Sequence, residues 1–212
     1  GVGKTALMLQ VSRELFEEKE RRKVLFDNIV WVSAKSNLYD HRFNVVEDEE
    51  RRCESLENVL SAILQFFEFD KLDGYVLDDR KELVHELLKE NRTLLVIDNF
   101  ETIPKDQGEK IIRFFGTEVK RSLRDRPDFF KLIVTSRRQI PSGFHQIELG
   151  GLDLAESKQL MANLSKSYSQ SGIELSEDQK EAIHNAAFGI PIIIKHVFGQ
   201  IFEFNRPPEA AV

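Results

Sequence analysis

The chain has 212 residues, with 41% hydrophobic and 31% charged side chains and a net charge of −6. That length and composition suit one or two globular domains with a real core and exclude a disordered chain. The acidic balance argues against a phosphate backbone as the main partner, and a single cysteine, Cys53, excludes an internal disulfide or a cysteine-based zinc cluster and fits a reducing, cytoplasmic compartment.

The chain opens on Gly1-Val2-Gly3-Lys4-Thr5, which runs into an amphipathic helix carrying Leu7, Val11 and Leu15. This is the end of a G-x-x-x-x-G-K-[ST] pattern, a loop whose backbone N–H groups cradle phosphates at a helix N-terminus. Lys4 would bring a point charge to the β- and γ-phosphates, and Thr5 a hydroxyl ligand for Mg²⁺. Because the chain begins inside this motif and has neither an initiator Met nor a signal peptide, it reads as a fragment of a longer protein.

Short β-branched runs then alternate with helical stretches. The expected strands are Asn28 to Val32, Thr93 to Ile97, Lys131 to Thr135 and, more weakly, His145 to Leu149. Each is almost continuously apolar, as in a parallel sheet covered on both faces. Apolar stripes at helical spacing mark Ser55 to Phe67, Asp79 to Lys89 and Glu109 to Leu123, the last through Ile111, Ile112, Phe115 and Val119. Lys35 to Glu54, with its charge run Glu47 to Arg52, has no clean period and reads as a solvated loop or frayed helix. The whole is an α/β fold of βαβ units, a parallel sheet flanked by helices, over residues 1–150.

From residue 151 to 212 the pattern is helical only, which marks a second, small domain. Asp153 with Glu156 and Ser176 with Gln179 have capping-box spacing. Gly189 suits the end of one helix and Pro191 the first turn of the next, which is apolar on most sides to about Phe204 and expected to be buried.

Two further segments carry candidate chemistry. Leu94 to Asp98 is an apolar strand ending in an acid that could meet the Mg²⁺ shell; an ordinary strand with Asp at its exit fits equally well. Lys131 to Arg138 delivers Arg137 to the same sheet edge, where open α/β sheets bind ligands; two surface arginines are the plainer reading. Gly189-Ile190-Pro191-Ile192 by itself is explained by helix capping. The histidines His41, His85, His145, His184 and His196 show no ligand spacing with one another or with Cys53 and read as packing or surface residues.

Taken in order, these segments resemble the NB-ARC domain of the STAND class of P-loop signalling NTPases. Gly1 to Thr5 resembles the end of its Walker A loop, Asn28 to Ser33 with Trp31 its second strand, and Leu94 to Asp98 its Walker B strand. Thr135-Ser136-Arg137 resembles its sensor, and Gly189 to Ile192 its Gly-Leu-Pro-Leu motif. The resemblance implies an ATP/ADP switch with Mg²⁺. Gly1, Val2, Gly3, Lys4, Thr5 and Ala6 would hold phosphate, Arg137 would read the γ-phosphate, Pro191 would lie near adenine, and Thr5 and Asp98 would serve the metal. It also implies oligomerisation in the ATP form, with sensor and effector domains elsewhere, and a strand ahead of the phosphate loop that would neighbour His145 to Leu149. Without that strand, weak stability and weak nucleotide binding are expected.

The family's relatives often carry Glu after the Walker B Asp as the base that activates water. Here the residue is Asn99, whose amide cannot accept a proton usefully at neutral pH. Glu101 is the nearest substitute, so hydrolysis is expected to be slow. The rival readings are a P-loop ATPase that works by turnover and a degenerate interaction scaffold without nucleotide.

Overall fold

The computed structural model describes residues 3–20, 25–34, 37–39, 45–47, 53–69, 72, 74–140, 143–167, 174–204 and 206–207. The chain divides into two compact units, Thr5–Phe144 and His145–Val212, the latter grouped with Gly1–Lys4. Among the described residues no helix is long and apolar enough to cross a membrane.

The first unit is an α/β layer structure. Helix α1 (Lys4–Glu20) precedes β1 (Asn28–Ser33), and a short antiparallel pair follows, β2 (Asn37–Tyr39) with β3 (Val45–Glu47). Then come α2 (Leu56–Phe66), α3 (Leu77–Glu90) and β4 (Thr93–Asp98). A 3₁₀ turn (Phe100–Thr102) leads into α4 (Lys105–Arg113), a π-helical turn (Phe114–Val119), α5 (Lys120–Ser122) and β5 (Phe130–Val134). The main sheet has three parallel strands in the order β1-β4-β5.

Period-two alternation divides the sheet between two cores. Val30 and Val32 of β1, Leu95 and Ile97 of β4, and Leu132 and Val134 of β5 join α2, α3 and the α4 region in one cluster. Trp31, Leu94, Val96 and Ile133 face Met8, Leu9 and Leu15 of α1 on the other side. Both faces of β4 are therefore covered, which explains its unbroken apolar run. At the N-terminal edge, Asp27 accepts hydrogen bonds from the Arg92 backbone N–H at 3.0 Å and from its guanidinium at 3.1 Å, which pins the starts of β1 and β4 together.

The local signals account for the helix boundaries. Ser55 caps α2, accepting from the Asn58 N–H at 3.1 Å. Arg80 of α3 ties back to α2 through the Ser61 hydroxyl at 2.8 Å and the Glu57 carboxylate at 3.0 Å. The last helix of the unit departs from the expected α pattern. Its middle turn is π, and Phe114, Phe115 and Val119 are all buried within it, whereas Ile112 is only half-buried. Phe115 stacks on Phe130 of β5 at 5.9 Å between ring centroids.

Two sequence expectations are corrected here. Residues 37–39 and 45–47 form an antiparallel ladder, not a loop or frayed helix, with Leu38 opposite Val46 and Tyr39 opposite Val45. These segments are too short to show alternation, yet their aromatic and β-branched residues favour pairing. Most of the charge run, from residue 48 to 52, and His41 lie outside the described residues. The strand expected at His145 to Leu149 does not form: the segment has no regular structure and Ile147 is 76% exposed. With only two large apolar side chains in five residues and no ladder for its backbone groups, it has little to hold it extended in a sheet.

The second unit packs α6 (Leu154–Ser167), α7 (Glu177–Ala187) and α8 (Pro191–Phe202) around Met161, Ile183, Ile194, Phe198 and Ile201. Both capping boxes form. Asp153 accepts from the Glu156 N–H at 2.8 Å while Glu156 accepts from the Asp153 N–H at 2.9 Å, and Ser176 and Gln179 do the same at 3.2 and 3.0 Å. Helix α8 buries one face only. Ile192 and Ile193 are exposed, as is Phe204 just beyond the helix, because three helices offer α8 two neighbours and not a surrounding shell.

Gly189 does more than end a helix. It sits at φ +65°, just after Phe188 at φ +51°, where the chain from α7 to α8 crosses the segment leading into α6. The Leu152 N–H donates to the Gly189 carbonyl at 2.8 Å. A Cβ on Gly189 would lie 2.0 Å from the Leu152 carbonyl oxygen, and one on Gly151 would lie 2.1 Å from that of Phe188. Two glycines far apart in sequence thus let two backbones touch. Gly189→Ala is expected to lower the stability of this unit by on the order of 3 kcal/mol, from combined strain and collision, read as a drop in its thermal or denaturant midpoint.

Glu177 at the start of α7 bonds Lys180 at 2.7 Å and Lys158 of α6 at 2.9 Å. Those two hydrogen-bonded ammonium groups hold its carboxyl down at about 2. A carboxyl depressed on folding adds stability above its unfolded value of 4.5 and loses that contribution as pH falls toward 2. Glu177→Gln should therefore leave a shallower acid limb across that window in a pH series of melting temperatures, with no steepening at neutral pH.

Candidate functional site

Three buried polar residues end the three strands of the main sheet on one edge. Ser33 closes β1, Asp98 closes β4, and Thr135 directly follows β5; they are 1%, 1% and 6% exposed. Parallel pairing puts Ser33 level with Asp98, and Thr135 continues the ladder by donating its N–H to the Ile97 carbonyl at 3.0 Å. An ionised carboxylate so far from solvent is destabilising by several kcal/mol unless donors surround it.

The donors come from three separate elements. Thr5, in the first turn of α1, donates its hydroxyl to Asp98, lying 2.9 Å from Oδ1 and 3.1 Å from Oδ2. The Thr135 hydroxyl lies 2.5 Å from Oδ1. The side-chain amide of Asn99 donates to Oδ2 at 2.6 Å. Because a carboxylate only accepts, each hydroxyl proton is committed to Asp98, which leaves the Thr5 oxygen with lone pairs for a cation. The donor set is a hydroxyl oxygen beside a carboxylate, both hard ligands of the kind Mg²⁺ takes in combination with phosphate oxygens and water. Among the described residues no three His, Cys, Asp or Glu side chains gather into an all-protein metal cage. These residues fit a metal shared with a phosphate ligand.

Ahead of Thr5, Gly3 has φ +93°, a conformation that favours glycine, and Lys4 is the first residue of α1. Ala6 lies in the same first turn and is exposed; Gly1 and Val2 lie outside the described residues. The first-turn N–H groups of α1 have no partner within the helix and, with the helix dipole, favour an anion there.

Asn99 itself has φ +57° and ψ +41°. Left-handed backbone is adopted by Asn far more readily than by Glu, and the conformation is held by the Asn99 N–H donating to Thr135 Oγ1 at 3.0 Å. The amide at this position therefore has a structural cause that residue type and spacing do not reveal. The neighbouring candidates, Glu101 and Arg137, bind each other. The Arg137 guanidinium lies 3.3 Å from Glu101 Oε1, and its backbone N–H donates to Oε2 at 3.3 Å. The Glu101 side chain is 12% exposed and that of Arg137 66%. Pro191 is the first residue of α8 in the second unit, where its place is explained by helix initiation.

The other titratable candidates have structural roles. Cys53 is buried, and burial pushes its thiol up to about 12, which keeps it protonated and unreactive. His85 contacts the Ser122 hydroxyl, and His184 Nδ1 lies 2.9 Å from the buried Ser157 hydroxyl.

No protein-family description matches the chain, and no curated protein does. Among solved structures, one similar in outline is a Walker-type ATPase of Pyrococcus abyssi, with a TM-score of 0.48 and 12% identity over 87% of this chain. The match spans 58% of that protein.

The left-handed turn at Asn99 sets up a direct test. Asn99→Ala should destabilise the first unit by about 1 kcal/mol more than Asn99→Gly, since both lose the amide but only Ala is strained at positive φ. Denaturant titration of the two variants reads the difference.

Proposed function

We propose that this chain is a nucleotide-binding P-loop module that acts as an ATP/ADP switch of the NB-ARC, STAND type. One observation carries the reading: the hydroxyl of Thr5 meets the carboxylate of Asp98 across 93 positions of sequence, at 2.9 Å. A Gly-Lys-Thr helix start and an apolar strand ending in Asp are each common. Their contact at the carboxyl edge of a parallel sheet is what a phosphate and metal site requires.

In this reading the first turn of α1, with Gly3, Lys4, Thr5 and Ala6, binds the β- and γ-phosphates, and Gly1 and Val2 extend the loop. Thr5 and Asp98 would hold Mg²⁺, which would supply positive charge to offset that of the phosphates. Arg137 is the sensor for the terminal phosphate. It starts paired with Glu101, and because the Arg137 side chain is itself largely exposed, solvent screens the pair and a phosphate can compete for the guanidinium. ADP lacks the group that draws Arg137 away. That differential interaction is what lets the two nucleotides favour different states.

Slow hydrolysis follows from the same arrangement: Asn99, directly after the strand acid, supplies an amide bonded to Asp98 and not a base for water. The output would then be a change of state, with oligomerisation and the sensor and effector domains of a longer cytoplasmic protein, and not sustained turnover.

Calorimetric titration of the full-length protein checks this reading. Lys4→Ala should abolish measurable ATP binding. Arg137→Ala should weaken ATP by about tenfold while leaving ADP within about twofold, the signature of a guanidinium that binds the γ-phosphate and nothing else in the nucleotide. Equal ATP binding by wild type and Lys4→Ala would refute the proposal.

A further inference from the structure

We propose that Thr135 is a positioning residue for the metal end of this site: its hydroxyl sets the orientation of the Asp98 carboxylate and thereby the contribution of Mg²⁺ to nucleotide affinity. The inference rests on the nucleotide reading above and assigns a role to a residue which that reading leaves aside in favour of Arg137.

Every bonding capacity that matters at this hydroxyl is occupied. Its single proton goes to Asp98 Oδ1, and its oxygen accepts the Asn99 N–H at 3.0 Å. The first bond fixes the carboxylate plane from the β5 side. The second fixes the backbone of the residue after Asp98 in the left-handed turn, whose carboxamide then returns to Oδ2. Thr135 thus holds Asp98 twice, directly and through Asn99. Thr135 is 6% exposed, and its β-branched side chain is stiff about χ1, so the hydroxyl has little freedom to leave.

The backbone removes the remaining freedom. The Thr135 N–H bonds the Ile97 carbonyl, and the Phe100 N–H bonds the Thr135 carbonyl, both at 3.0 Å. The segments leaving β4 and β5 are therefore laced together across Thr135 by four hydrogen bonds, two through its backbone and two through its hydroxyl. The backbone pair holds the two segments in register. The hydroxyl pair converges on the carboxylate that faces Thr5.

Neither bond involves a residue that the nucleotide reading assigns to phosphate. Removing the hydroxyl should therefore act on the metal and far less on the nucleotide itself. Groups that orient a metal-binding carboxylate typically change metal affinity by 10- to 100-fold when removed.

The test is ATP titration of the full-length protein with Mg²⁺ and with chelator, in wild type, Thr135→Val and Thr135→Ser, alongside thermal melts without ligand. The expected result is that Thr135→Val reduces the Mg²⁺ enhancement of ATP affinity by about tenfold while affinity in chelator moves far less, and that Thr135→Ser restores the enhancement. Mn²⁺ bound to the protein–ATP complex, read by electron paramagnetic resonance, should show the same ranking. Undiminished Mg²⁺ enhancement in Thr135→Val overturns the proposal. So does equal weakening with and without metal, which marks a residue needed only for folding. Should Thr135→Val fail to fold, Thr135→Cys, close in size with a weak donor, takes its place: reduced enhancement supports the proposal, and undiminished enhancement or equal weakening overturns it. Wild-type protein that binds no ATP, or binds it independently of Lys4, refutes the nucleotide reading underneath; that result is read before any Thr135 variant is made.

Discussion

The first unit is organised around one carboxylate that has almost no access to water. Asp98 is 1% exposed, and its partners come from the start of α1, the turn after β4 and the residue after β5. Those donors are available only if β4 and β5 are in parallel register with Ile97 opposite Val134, and only if α1 begins at the same edge. A slip of two residues would preserve the apolar faces of both strands. It would also remove Thr135 from Asp98 and leave a buried charge short of donors. Hydrophobic alternation thus selects the face of each strand, while the carboxylate selects the register.

The same constraint shapes the neighbouring chemistry. Asn99 is turned left-handed so that its N–H reaches Thr135 and its amide reaches Asp98. The 3₁₀ turn that follows carries Glu101 to the segment after β5, where it meets Arg137. Polar groups at the edge satisfy one another in a chain that runs from α1 to the residues beyond β5. Such a network is stable when complete, and its outermost member, Arg137, is the one whose side chain faces solvent. In the second unit the comparable constraint is steric. There the backbones at Gly151–Leu152 and Phe188–Gly189 pass so close that neither glycine has room for a Cβ.

Much of this was legible in sequence where the determinants are local. The apolar stripes of α2 and α3, the two capping boxes and Pro191 at the start of α8 depend on residues close along the chain, and they form as the spacing indicates. The three apolar runs became the three sheet strands because covered strands need no partner-specific signal beyond continuous hydrophobicity. The misses are non-local. Residues 145–149 have part of a strand pattern but no ladder. The pair 37–39 and 45–47 gains its order from mutual pairing that neither trio signals alone. The π turn at Phe114–Val119 hides inside an ordinary apolar stripe.

For the candidate site, the order of amino acids was enough to set the inventory: a Gly-Lys-Thr helix start, an acid at the end of a buried strand, an amide where a base might stand, and an arginine after another strand. Residue type and position along an element suffice for that, since each depends on its own few neighbours. How these groups are used emerged with the folded chain alone. Folding brought Thr5 to Asp98, committed Asn99 to a left-handed clamp, paired Glu101 with Arg137, and made Thr135 the common partner of Asp98 and Asn99. The physical reason is that a buried charge collects its donors through space. Those donors sit 93, 37 and 1 positions away along the chain, a set that no local pattern encodes.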